Sequence, residues 1–143
     1  MTVPSPSFWQ KSYIGFSIAG FALFFWHAGD DVFRGEVNAD SATTLAIGTL
    51  IFGVLFVFGL LWSWRHQVYG YWIVLILSVM SFWGAYLSHA LGAAGSHGLI
   101  EMASKTGAWA PVMVATSLIC GVSSATAIIL AMYLLIRSGA RQG

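Results

Sequence analysis

The sequence predicts an all-α membrane protein, a four-helix up-down-up-down transmembrane bundle with both termini on the cytoplasmic side. Three observations carry that expectation. Charged residues make up only 8% of the chain, against about a quarter in soluble domains. Four stretches lack any charge, and each can supply the roughly 20 apolar residues that cross a bilayer. The basic residues, finally, gather at alternate ends of those stretches. With 143 residues, 58% of them apolar, the chain reads as one integral membrane domain with little mass outside the bilayer.

The charge-free intervals set the elements. They run from Lys11 to Asp30, Asp40 to Arg65, Arg65 to Glu101 and Lys105 to Arg137, which places the spans near 9–29, 42–64, 69–94 and 108–136. Backbone groups in hydrocarbon must bond within their own segment, and runs this long and unbroken suit helices rather than barrel strands. The first span has the basic flank of a secretory signal, but Trp26 and Ala28 stand where a peptidase needs small residues, so it reads as a permanent helix. Asp40 or Ser41 is placed to cap the second helix. Pro111 fits the first turn of the fourth, where its missing N–H costs nothing.

Orientation follows from the loops. Lys11, Arg65, Arg137 and Arg141 fall on one side with no carboxylate among them. The other side holds Asp30, Asp31, Glu36, Asp40 and Glu101 with only Arg34 and Lys105. Because cytoplasmic loops retain Lys and Arg, the prediction is a cell (inner) membrane protein, N-in and C-in. Trp9, Tyr13, Trp62, Trp64, Trp72 and Tyr133 are expected to mark the cytoplasmic interface, Trp26 and Trp109 the outer one.

Helices in lipid associate through close packing of small residues. Ser78, Ser81, Ala85, Ser88, Gly92 and Gly95 form such a seam on the third span. The sequence predicts counterparts at Ser12, Gly15, Ala19 and Ala22 on the first, and at Thr116, Cys120, Ser123 and Ala127 on the fourth. Steps of three and four imply a left-handed crossing near +20°. Bulky residues such as Phe24 and Phe25 are expected to face lipid or another subunit. Cys120, the sole cysteine, reads as a packed small residue.

Chemistry concentrates at the outer end. Ionisable residues at membrane depth must find a partner or stay neutral, which makes His27 and His89 candidates. One reading is an axial pair for haem b, or a copper or iron site. A second joins His27 to Asp30 and Asp31 at helical spacing, with His89 or His97 completing a metal set. Trp83 and Tyr86 beside His89 suggest a pocket for a lipid tail, quinone or pigment. The competing readings are a histidine bonded to backbone or serine, a solvated acidic loop and lipid-facing aromatic bulk.

Absences narrow the function classes. No Asp, Glu, Lys or Arg lies inside a span, which disfavours a proton-coupled carrier. Ser88–His89 and Ser96–His97 are sequence neighbours, and adjacent helical residues point about 100° apart, so neither forms a nucleophile and base. A net charge of +1 offers no field for nucleic acid. The expectation is a small subunit of a larger, energy-converting membrane complex, without catalysis of its own. Its expected partners are other membrane subunits and lipids, in a hetero-oligomer or a homo-oligomer. The alternatives are a haem- or metal-binding redox protein and a small oligomeric channel or facilitator.

Overall fold

A computed structural model describes the backbone of residues 6–33, 39–83 and 107–139, with side chains for 6–29, 43–83 and 107–138. Among these the chain is helical and contains no strand. Helix α1 is Phe8–Phe33, α2 is Ala39–Trp64 and α3 is Val68–Ser81, while a short 3-10 turn, Gly107–Trp109, leads into α4, Ala110–Gly139. Two helices are long and apolar enough to cross a membrane, at Thr43–Trp64 and Gly107–Ser138. The predicted first span lies within α1. Only the first part of the third, to Trp83, falls on described residues.

Helix α1 packs on α4, α4 on α3, and α3 on α2, with smaller contacts from α1 to α2 and α3. The contacting pairs run in opposite directions along neighbours. His27 meets Ser117 and Trp9 meets Tyr133 between α1 and α4. Phe21 meets Phe56 and Tyr13 meets Ser63 between α1 and α2.

The buried positions step by three and four along each helix. On α4 the line is Met113, Ser117, Cys120, Ser124, Ala127, Ala131 and Leu134, with Gly121 and Ser123 buried beside it. On α1 the line is Gln10, Tyr13, Ser17, Gly20, the half-buried Phe24, and His27. This 3.5-residue period is the seam of left-handed helix packing. The small-residue stripe expected on α1 is not that seam. Gly15 and Ala22 are exposed, and a Cβ on Gly15 would meet nothing within 4 Å. Size alone misplaced it, because the packing face of α1 carries larger polar groups that bond to the neighbouring helices. Thr116 likewise gives way to Ser117 on α4, its hydroxyl turning back to Val112 O at 2.8 Å.

Helices α2 and α3 come closest. A Cβ on Gly70 would overlap Ser63 N, Gly59 O and Trp62 C, and one on Gly59 would lie 2.8 Å from Val74 Cγ2. Only glycine permits main chains to meet in this way. The intervening turn is a Schellman cap: His66 N–H donates to Ser63 O at 3.0 Å and Gln67 N–H to Trp62 O at 2.9 Å. His66 holds the left-handed position, φ 59°, usually given to glycine. The start of α2 differs from expectation. The helix already includes Ala39, so Asp40 and Ser41 sit in its first turn rather than at the cap.

Candidate functional site

The bundle buries polar groups beside an apolar core that includes Phe21, Phe56, Val74 and Leu77. Among the described residues its interior holds Gln10, Ser17, His27, Ser63, Ser78, Ser81, Ser117, Ser123 and Ser124, while large apolar side chains cover the outside of all four helices. Buried polar groups need partners; Gln10, Ser63, His27 and Ser117 find theirs across helix seams, and Ser17 within its own helix.

At the end near the Arg65–Gln67 turn, the Gln10 amide donates to Ser63 O at 2.6 Å and to Trp64 O at 3.3 Å. These carbonyls belong to the last turn of α2, where Ser63 O also accepts the His66 N–H of the Schellman cap, so the Gln10 amide adds a second donor to the helix end. Tyr13 adds a hydroxyl contact to Ser63 Oγ at 3.3 Å and packs edge-on against Tyr71, ring centres 5.5 Å apart. Tyr13 is therefore a core residue and not the interfacial marker expected. Trp9, Trp62, Trp64, Trp72 and Tyr133, by contrast, are exposed, as are Trp26 and Trp109.

Midway along the bundle, Cys120 Sγ donates to Gly20 O at 3.4 Å, and a Cβ on Gly20 would lie 2.8 Å from Ser124 Oγ. Farther along, His27 is 4% exposed and its Nε2 lies 3.2 Å from Ser117 Oγ, an arrangement in which either atom can donate. His27 thus lies in the seam, while its neighbour Trp26 is exposed. A metal at Nε2 would have to replace the Ser117 bond.

Of the other expected site residues, Trp83 is exposed in a π-helical turn that follows α3. Asp30 and Asp31 lie in the last turn of α1, with side chains outside the described set. His89, His97 and Tyr86 fall outside the described residues altogether. Among the described residues no three of His, Cys, Asp and Glu gather where they would hold a metal.

A groove of about 830 Å³ opens between α1 and α2, lined by Phe21 and Phe25 on one side and by Leu50, Gly53, Val54 and Val57 on the other. Its floor is an aromatic stack. Phe21 lies parallel to Phe56 and to Phe52, with ring centres 3.7 and 5.2 Å away, and Phe24 and Phe25 close its flank. Phe24 and Phe25 are thus half-buried within this cluster rather than turned wholly outward.

The fold and its polar seam define a helical protein with two helices able to cross a membrane. Comparison with protein-family models, curated proteins and solved structures finds no match.

Proposed function

We propose that this chain is a multi-pass membrane protein, N-in and C-in, serving as a small non-catalytic subunit of a larger, energy-converting membrane complex. One observation carries the reading. Helix α2 touches the rest of the bundle along Phe52, Phe56, Gly59 and Ser63, while Ile47, Leu50, Ile51, Val54, Leu55, Val57, Phe58 and Leu61 are left open. In water so large an apolar face would drive aggregation. In hydrocarbon it is a surface for lipid and neighbouring helices. The polar interior supports the same medium, because side-chain hydrogen bonds and close glycine contacts hold helices together where expulsion from water no longer acts. Exposed tryptophans at both ends of the bundle fit the two interfaces.

The open α2 face and the groove beside it are the natural seat of a partner helix, with lipid, quinone or pigment tails filling what remains. A photo-crosslinking residue at Val54 or Phe58, activated in native membranes, tests this. A discrete adduct with another membrane protein, matched by co-purification in mild detergent, is the expected result. A chain that crosslinks only to lipid and purifies alone overturns the subunit reading.

His27 gives a second reading a specific footing, since a buried imidazole at a helix seam suits a haem or metal ligand. An absorption spectrum and metal analysis of protein purified from cofactor-replete cells decide it: a colourless, metal-free preparation removes the redox version.

A further inference from the structure

The end of the bundle at the Arg65–Gln67 turn carries cations and no acid. Lys11, Arg65 and Arg137 are exposed there, and the sequence holds no Asp or Glu from residue 1 to 29, 41 to 100 or 102 to 143. Along α1 the first carboxylate, Asp30, lies about 30 Å from Trp9 at about 1.5 Å per residue. That is several times the Debye length of about 8 Å. The anions that answer these cations therefore come from outside the chain.

Arg137 belongs to more than a charged rim. It occupies the last turn of α4, and its Nη1 donates to the Tyr133 hydroxyl one turn back at 3.5 Å. Tyr133 packs across the α1–α4 seam on Trp9, ring centres 5.7 Å apart, and Trp9 meets Phe8 edge-on at 5.4 Å. A guanidinium and three rings from two helices thus form one ledge, exposed along its length: Phe8 is 72%, Trp9 45% and Tyr133 42% exposed. The single long bond to Tyr133 orients the guanidinium without saturating it. The rest of its planar fork matches the oxygens of a phosphate, and Trp9 adds an indole N–H that can only donate. Two turns farther along α1 and one turn back along α4, the exposed Phe16 and Ile129 continue the same edges into the apolar zone.

We propose that this ledge binds the headgroup of an anionic phospholipid. Arg137 holds the phosphate, the Trp9 indole N–H donates to an oxygen of the same headgroup, and the acyl tails run past Phe16 and Ile129. A zwitterionic lipid brings its own ammonium to a rim that is already cationic; an anionic one neutralises it. The inference rests on the membrane placement proposed above but not on the partner reading, since it uses the α1–α4 pair and not the open face of α2.

Native mass spectrometry tests it. The full chain is placed in nanodiscs of equal parts phosphatidylglycerol and phosphatidylcholine with matched tails, and the lipid retained on the ejected protein is identified. Phosphatidylglycerol is expected to be preferred about tenfold, the worth of one hydrogen bond between charged groups. Arg137→Gln, at an exposed helix end, is expected to reduce the preference to about twofold or less. Lys11→Gln removes the same charge from α1, but about 200° round the helix from Trp9; it is expected to keep at least about half of the preference. Equal retention of the two lipids by the wild-type chain overturns the proposal, whatever the variants do. Equal losses from Arg137→Gln and Lys11→Gln overturn it as well, since the rim then attracts anionic lipid only as a diffuse charge. Alkaline carbonate extraction keeps the two readings apart: a chain released from membranes sinks both, while a chain that stays and shows no preference sinks the headgroup site alone.

Discussion

Replacing Gly70 by alanine sets a methyl carbon against Ser63 N, Gly59 O and Trp62 C of α2, each closer than 3.0 Å. All three atoms are main chain, so none can swing aside. Ordinary carbon contacts need about 3.5–4.0 Å, and α2 and α3 must therefore part by about 1 Å. The separation loosens Gly59 from Ile73 and Val74 and draws Ser63 away from Gln10 and Tyr13. Overpacking of this kind costs about 1–3 kcal/mol, and weakening the Gln10 bond adds about 1 kcal/mol. A loss of about 2–4 kcal/mol is expected; even 2 kcal/mol lowers the folded-to-unfolded ratio about thirtyfold. The assay is SDS-driven unfolding of the purified chain in mixed micelles, followed by tryptophan fluorescence. Gly48→Ala is the control, because a Cβ there meets nothing within 4 Å, and it should gain up to about 1 kcal/mol of helix propensity. A Gly70→Ala chain within about 0.5 kcal/mol of the parent, the range of surface substitutions, would refute the close crossing.

The remaining predictions use the same unfolding assay. Gln10→Ala leaves the Ser63 and Trp64 carbonyls without their side-chain donor and should cost about 1–3 kcal/mol; Gln10→Glu should cost more, since a carboxylate faces the same oxygens. At the Schellman cap, His66→Gly should gain up to about 1 kcal/mol by relieving the left-handed backbone, whereas His66→Val should lose at least as much. Phe21→Ala removes three close ring partners, Phe25, Phe52 and Phe56, worth about 0.5–1.5 kcal/mol per pair, and should enlarge the groove enough to change the yield of crosslinks at Val54.

The helices were legible because uninterrupted apolar runs between charges have few other solutions, and the turn at Arg65–Gln67 was marked by its arginine. The small residues of α3 and α4 were read correctly at Ser78, Ser81, Cys120, Ser123 and Ala127, all buried. Helix α1 was misread for a physical reason. Residue size located the seam at Gly15 and Ala22, but hydrogen-bonding groups outweigh size where the neighbour offers carbonyls at its helix end, as α2 does to Gln10. The signal was present in the three-and-four spacing from Gln10 through Tyr13 and Ser17 to His27, a period that only makes sense if polar residues count as core. His27 was legible as a buried group but its partner was not, because Ser117 lies 90 residues away and no local pattern links them.

The account rests on hydrocarbon surrounding these helices, and threading of the chain tests that most directly. In a Cys120→Ala background, single cysteines are introduced by Gln67→Cys and Glu36→Cys, and an impermeant maleimide is applied to sealed vesicles of each orientation. Position 67 should label only from the cytoplasmic face and position 36 only from the opposite face. Labelling of both from one side, or release of the chain from membranes by alkaline carbonate, would contradict it.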